Sequence, residues 1–277
     1  MTAPVPHETI SSPANPRIRA AARLRQAEAR RETGLTLVDG RRELARAAAA
    51  GAAIVDVFLA DAAVAAEPWL AAIAAAGTRF TLVAARAFDR VAFGSRDEGV
   101  VGVVRFGATS LDAVRFAPDR PVLVAEGVEK PGNLGAILRT ADAAGLAGVI
   151  ACDGATDPAN PAVIRASLGT VFTVPLAVAT TAETIAWLGR QGRRAVAADP
   201  GGGLLWHQAR LAGSTAIVVG SEAHGLSPGW RQAAAGGTLD LVTIRLPMCG
   251  VADSLNVSAT AAVLAYEAVR QAEAAHG

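Results

Sequence analysis

The sequence predicts an α/β protein of two domains, the second built on a parallel sheet with helices on both faces. Three observations predict it. Short β-branched runs alternate with Ala-rich helical patterns along the whole chain. In the second half the strand-like runs, 122–125 and 216–219 among them, are apolar nearly throughout, as strands buried on both faces are. The 277 residues suffice for two domains, and 52% hydrophobic against 18% charged residues gives enough apolar side chain for two cores.

In chain order, residues 1–11 read as a flexible tail. Ser12-Pro13-Ala14-Asn15-Pro16 sets up a helix start, and 20–31 reads as a helix with Leu24 and Ala on one side and Arg on the other. Gly34 ends it. Strands follow at 35–38, 54–59, 80–83 and 100–106, with helices at 40–51, 68–76 and 85–91 between them. This first domain spans 12–106. Residues 107–120 lack periodicity and read as a linker.

The second domain, 121–277, resumes the alternation. Strands are expected at 122–126, 148–152, 171–175, 194–198, 216–219 and 241–246. Helices are expected at 133–145, 161–168, 182–191, 228–235 and 259–274. No internal repeat is evident.

Composition excludes several classes. No apolar run reaches the roughly 18 residues of a membrane span. The first ten residues have neither the basic start nor the apolar core of a secretory leader. Cys152 and Cys249 stand far apart in apolar surroundings, which fits neither a disulfide framework nor a zinc site. A cytoplasmic protein without membrane or metal partners is expected. Net charge is only +1, but nine Arg face four acidic residues between 17 and 46, a local excess of five. That fits a phosphate-binding face and equally a solvated helix.

Three Gly-rich loops follow three strands: 126–139, 220–226, and 246–258, the last running Leu246-Pro247-Met248 through Ser254-Leu255-Asn256-Val257-Ser258. In open parallel sheets ligands bind beyond the carboxyl ends of strands, so three such loops suggest one shared site. The phosphate-loop pattern and the dinucleotide Gly-x-Gly-x-x-Gly are both missing. Ser221 and Ser254 lack a hydrolase setting. Residue chemistry alone gives a site without a reaction.

The loops resemble the three motifs of the TrmH/SpoU group of RNA ribose 2′-O-methyltransferases, of the SPOUT class. The match runs through Asn133, Gly135 and Arg139; then Gly220, Glu222 and Gly225; then Pro247, Met248 and Ser254 to Ser258, in that order over 122–270. More loosely, Asn15-Pro16-Arg17-Ile18, the Arg-rich segment and Leu37-Val38-Asp39-Gly40-Arg41 resemble the family's L30e-like substrate-binding domain. The resemblance implies a SPOUT domain with a parallel sheet and a deep trefoil knot, preceded by a smaller L30e-like domain. It implies S-adenosylmethionine as cofactor, structured RNA as substrate with ribosomal RNA favoured, and a homodimer. Gly220, Leu246 and Leu255 would hold the cofactor, with Val219, Ser221, Met248 and Val257 around them. Small and apolar residues suit an adenine slot reached by backbone groups.

Arg139, Asn133, Glu222, Ser254 and Asn256 would carry the chemistry. A general-base role is hard to accept from an Arg near neutral pH, so of base and electrostatic stabiliser, which the sequence does not decide between, the preferred expectation is that Arg139 acts by charge on phosphate or on the developing alkoxide. Asn133 would orient it or the ribose. Glu222 would anchor its loop or pair with Arg139. Ser254 and Asn256 would cap the last helix and face cofactor or substrate. Arg17, Arg23, Arg41 and Arg165 are the candidate RNA contacts. Lys130, the sole Lys of 26 basic residues, and His224 have no assigned role. The alternatives are a non-catalytic RNA-binding or ribosome-assembly protein on the same fold, and a transfer-RNA substrate.

Overall fold

The structure, a computed structural model, describes residues 8–66, 68–74, 77–93, 98–107, 109–154, 156–222 and 224–275. It divides into two compact units, Met1–Gly107 with Asp157–Thr173, and Ala108–Thr156 with Val174–Gly277.

The first unit contains β1 (Glu8–Ile10), α1 (Pro16–Arg23), α2 (Ala27–Thr33), β2 (Leu35–Asp39), α3 (Arg41–Ala49), β3 (Ile54–Leu59), α4 (Pro68–Ala74), β4 (Arg79–Val83), α5 (Ala85–Phe88) and β5 (Val100–Arg105). Its sheet runs β1-β4-β3-β5-β2, and β5 is antiparallel to both neighbours. Ile18, Leu37, Phe58, Val83 and Val101 fill one side of it. Asn15 caps α1, its side chain accepting from Arg17 N at 2.9 Å, with Pro16 in the first turn where no N–H is needed.

Two expectations are corrected here. Residues 8–10 are not a tail: they pair in parallel with β4 and bury Ile10 at the sheet edge. Residues 1–7 of the expected tail lie outside the described residues. The single helix expected over 20–31 is two, broken after Arg23. Leu24 turns into the core, and the carbonyls freed at Leu24 and Arg25 accept from Arg30 Nη1, both at 2.9 Å. Tertiary burial of Leu24 thus outweighs local helix propensity.

The second unit contains β6 (Val122–Glu126), α6 (Pro131–Ala143) and β7 (Gly148–Cys152). The chain then returns to the first unit for α7 (Pro161–Ala166) and a 3₁₀ turn at Thr170–Phe172. Back in the second unit come β8 (Leu176–Ala179), α8 (Thr181–Arg190), β9 (Arg194–Ala198), β10 (Leu204–Leu205), β11 (Thr215–Val219), α9 (Gly229–Ala235), β12 (Leu241–Arg245) and α10 (Val257–Ala274). All seven strands are parallel, in the order β10-β12-β9-β11-β6-β7-β8. Val122, Val124, Ile150, Val218 and Trp230 belong to its core. Because the strands are parallel, the loops after β6, β9, β11 and β12 all emerge at one edge.

The second-domain boundary differs from the sequence reading in two stretches. Residues 157–173 pack with the first unit: Asp157 accepts from Arg30 Nε at 2.7 Å, Ala159 O from the Thr36 hydroxyl, and Leu168 O from Arg46 Nη1 at 2.8 Å. The expected linker is packed rather than loose. Phe116 stands edge-on to Trp187 with ring centres 5.3 Å apart, and Arg193 donates to the carbonyls of Ala117 and Arg120. The strand expected at 171–175 is displaced to β8. Leu168 and Gly169 take left-handed φ angles of 53° and 82°, which reverse the chain into the 3₁₀ turn first. The two-residue β10 had no strand-like run to announce it. Among the described residues, no helix is long and apolar enough to cross a membrane.

Candidate functional site

The loops after β9, β11 and β12 enclose a cavity of about 500 Å³. Val219, Gly220, Ser221 and Glu222 form one wall; Leu246, Met248, Ser254, Leu255 and Val257 form another. All seven residues read as cofactor contacts line it, as do Glu222 and Ser254. Asp199, Pro200, Arg245, Asp253 and Thr260, which were not anticipated, line it too. Their signal was their position at or beyond the ends of β9 and β12 and at the start of α10.

Gly220 shows why this wall tolerates no side chain. A Cβ there would lie 2.4 Å from the backbone of Gly225, because the turn folds back on itself. Gly225 N donates to Ser221 O at 2.9 Å, and His224 N to Ser221 Oγ at 3.0 Å. His224 is exposed, and among the described residues no group of three or more His, Cys, Asp or Glu could hold a metal ion. The opposite wall presents unusual apolar exposure: Met248 is 37% and Leu255 40% exposed. An open, mostly preformed cleft with apolar side chains and close backbone is the ordinary form of a small-molecule site.

Beside the cavity lies a polar network. Glu222 Oε1 accepts from Asn256 Nδ2 at 2.6 Å, from Val257 N at 3.3 Å and from Asn133 Nδ2 at 3.4 Å. Its Oε2 accepts from Lys130 Nζ at 3.3 Å. The Val257 N–H first, and then Lys130, hold the Glu222 carboxyl below its ordinary range. Asn256 Nδ2 also donates to Asn133 Oδ1 at 3.1 Å, and Asn256 Oδ1 caps α10 by accepting from Ser258 N at 3.0 Å. Both Asn256 amide hydrogens are therefore committed, whereas Asn133 keeps one. Thus Asn256 holds its neighbours and caps α10. Ser254 has no hydrogen-bond partner among the described residues and does not cap α10; Asn256 does.

Arg139 is placed differently from expectation. It lies on α6 six residues beyond Asn133, exposed, and does not line the cavity. Six residues turn a helix through about 600°, so Asn133 and Arg139 face different ways. Of the two roles expected of Glu222, its bonds to Lys130, the two Asn and Val257 N fit the loop anchor, and among the described residues it does not pair with Arg139. Among the described residues Arg139 has no partner.

The four candidate RNA contacts lie in the first unit. Arg17 is not free for phosphate: it pairs with Glu8 and with Asp56 at 2.6 Å, and donates to Thr81 Oγ1 at 2.8 Å. Arg165 donates to Phe93 O at 2.7 Å and sits 3.6 Å from Asp39, whose carboxyl burial pushes upward. Arg41 donates its Nε to Glu98 O at 3.0 Å. Arg23 is 63% exposed in its side chain, 3.8 Å from Glu32. Arg19, Arg31 and Arg42 are exposed and have no partner among the described residues.

Comparison with known proteins accords with this geometry. Residues 120–266 match the SpoU rRNA Methylase family, and residues 15–102 the MRM3-like substrate binding domain. The chain is 40% identical over 201 residues to the 23S rRNA (guanosine-2'-O-)-methyltransferase RlmB of Bordetella pertussis, covering 71% of this chain and 80% of that one. A crystal structure of an RNA 2'-O ribose methyltransferase superposes with a TM-score of 0.80 at 36% identity, over 96% of this chain and 99% of that one. An AdoMet-bound rRNA methyltransferase from Sinorhizobium meliloti superposes with a TM-score of 0.83 at 26% identity, over 95% and 97%. With its second half matched by the family model and its relatives aligned across both units, this chain belongs to the SpoU rRNA methylase family.

Proposed function

We propose that this protein is an S-adenosylmethionine-dependent methyltransferase that methylates a ribose 2′-hydroxyl in ribosomal RNA. The observation that carries it is the cavity between the second and third motif loops, with the Gly220–Gly225 fold-back, exposed Met248 and Leu255, and the Glu222 network at its rim. Its volume of about 500 Å³ suits a nucleoside-sized ligand. The residues fit S-adenosylmethionine: Gly220 lets backbone approach the ligand, Met248 and Leu255 would be covered by it, and Asp253 places a carboxylate where a cation is welcome.

When bound, the cofactor supplies an electrophilic methyl on a sulfonium, so the chemistry needs no metal. The protein's part is to hold the hydroxyl and favour loss of its proton. Asn133, with one uncommitted N–H, would orient the ribose. Asn256 and Glu222 would fix Asn133. Arg139, charged and unpartnered, would meet phosphate or the developing alkoxide and lower the cost of its charge. Its distance from the cavity of its own chain is compatible with service in a homodimer, which we also propose. Val263 and Tyr266, 37% and 53% exposed on α10, support a covered helix face there. The deep trefoil knot belongs to the same reading, supported by the placement of β12 between β10 and β9 and by the packing of α10 on α6. The site of action would be the cytoplasm, where ribosomes are built.

The test is methyl transfer from labelled S-adenosylmethionine to deproteinised ribosomal RNA and, in parallel, to transfer RNA. The expected product is one alkali-resistant phosphodiester in ribosomal RNA, mapped by 2′-O-methyl sequencing. Cofactor binding with no transfer to either RNA would favour a non-catalytic RNA-binding protein.

A further inference from the structure

Glu126, the last residue of β6, is 5% exposed, and none of the sequence motifs assigns it a task. Its side chain accepts from three donors on two separate segments. Oε1 takes Thr181 Oγ1 at 2.8 Å, in the first turn of α8. Oε2 takes Ser227 N at 3.0 Å and Trp230 Nε1 at 3.0 Å. Among the described residues no Arg, Lys or His pairs with it. A buried acidic side chain served only by neutral donors is costly unless those donors are held in place, and it holds them in return.

Ser227 stands two residues past Gly225, whose backbone closes on Gly220 to make one wall of the cavity. Trp230 is 1% exposed and anchors α9, so the chain beyond Ser227 has no slack. On the near side, Gly127 has a φ of 65°, and a Cβ built there would lie 3.3 Å from Ser221 Cβ. The turn after β6 and the turn after β11 therefore abut on both sides of Glu126.

We propose that Glu126 is a positioning residue for the cofactor cavity: through Ser227 and Trp230 it holds the Gly220–Leu226 turn in the shape that admits the ligand. The inference rests on the cofactor reading above. It predicts that acceptor capacity at 126 matters. Glu126→Gln can turn its carbonyl oxygen toward Ser227 N and Trp230 Nε1 and its amide toward Thr181 Oγ1. Glu126→Met fills a similar volume but leaves two buried N–H groups unpaired.

The experiment measures S-adenosylmethionine dissociation constants by calorimetry, and backbone hydrogen exchange of peptides spanning 216–230, for wild type, Glu126→Gln, Glu126→Met and Glu126→Ala. Exchange needs no ligand, so it reads the turn separately from the cofactor assignment. Wild type that fails to bind the cofactor would sink the assignment, while faster exchange in the Met variant would still support the turn. The expected result is affinity within about threefold of wild type for Gln and a loss of about tenfold or more for Met, as unpaired buried donors imply. Exchange should accelerate at 220–227 in Met while the β6 and β7 peptides stay protected. Methylation assays should show the loss in the KM for cofactor and not in the KM for RNA. Unchanged exchange at 220–227 in a folded Met variant would overturn the proposal, as would a Gln variant as impaired as Met. Should Ala not fold, Met carries the same expectation, because it leaves less empty volume.

Discussion

Asn256 Nδ2 lies 2.6 Å from Glu222 Oε1, and that contact ties the residue before the last helix to the turn after β11. Asn256 does two jobs at once, since its Oδ1 caps α10. The jobs can be separated. Asn256→Asp keeps an acceptor for the cap but sets a second carboxylate against Glu222. It should weaken cofactor binding, and Glu222→Gln in the same chain should restore part of it. Asn256→Ala should cost about 1 kcal/mol of stability from the cap alone. Denaturant titration and calorimetry on the four proteins check both points.

The pH dependence of this network has a definite sign. Backbone N–H of Val257 and then Lys130 depress the Glu222 pKa in the folded protein. A depressed carboxyl contributes stability that is present above its unfolded value, about 4.3, and is lost as pH falls through the folded value. Glu222→Gln should therefore flatten the acid limb of melting temperature against pH between about 6 and 3, where the unfolded carboxyl begins to take up protons. An acid limb identical to wild type would show that Glu222 is not held this way.

Arg139 is exposed and unpartnered, so Arg139→Ala should leave stability within about 0.5 kcal/mol. Cofactor affinity should also be unchanged. If Arg139 stabilises developing charge, the methylation rate should fall by about a hundredfold or more, the usual scale for losing one such group. Arg139→Lys, which keeps charge but not the planar fork, should restore only part of it.

The two cysteines should differ sharply. Burial first of all pushes the Cys152 thiol up to about 12, while Cys249 is exposed beside Met248 in the cavity loop. At pH 8 a thiol reagent should modify Cys249 alone in the native protein and both after denaturation. S-adenosylmethionine should slow the native reaction, which mass spectrometry of the 246–258 peptide would read.

On the basic face, the unpartnered Arg residues should matter more than the paired ones. Replacing Arg31 and Arg42 should each reduce the salt dependence of RNA binding by about one unit of slope. Arg17→Ala and Arg165→Ala should instead lower the melting temperature, because each breaks an ion pair with a carboxylate that stays behind. Filter binding across a salt series, alongside thermal melts, separates the two groups.

What the sequence made legible was local. Apolar runs placed most strands within a residue or two, because a buried parallel strand is written as a continuous stretch. Two of the three motif loops, those after β11 and β12, line one cavity, since parallel strands send their ends to one edge; the first does not line it and reaches its rim only through Lys130 and Asn133 on Glu222. The failures came where distant contacts decided. Leu24 left its helix for the core, and Val171 follows a left-handed reversal at Leu168 and Gly169 that no β-propensity registers. Arg17 looked like a phosphate ligand because nothing nearby in sequence reveals Asp56, and the alternative pairing of Glu222 with Arg139 ignored that six helical residues carry a side chain to a different face. Glu126 was passed over because its three donors lie 55, 101 and 104 residues away.

The return of residues 157–173 to the first unit bears on how such a chain can be divided or recombined. A cut between 107 and 120 would not release an intact N-terminal module. It would leave Arg30, 5% exposed, without Asp157, and Thr36 without the Ala159 carbonyl. Exchange of substrate-binding modules between relatives would need two grafts made together, the first hundred residues and the excursion around α7. A change at either sequence stretch would have to be matched at the other, so the two are expected to evolve as one surface although some fifty residues separate them.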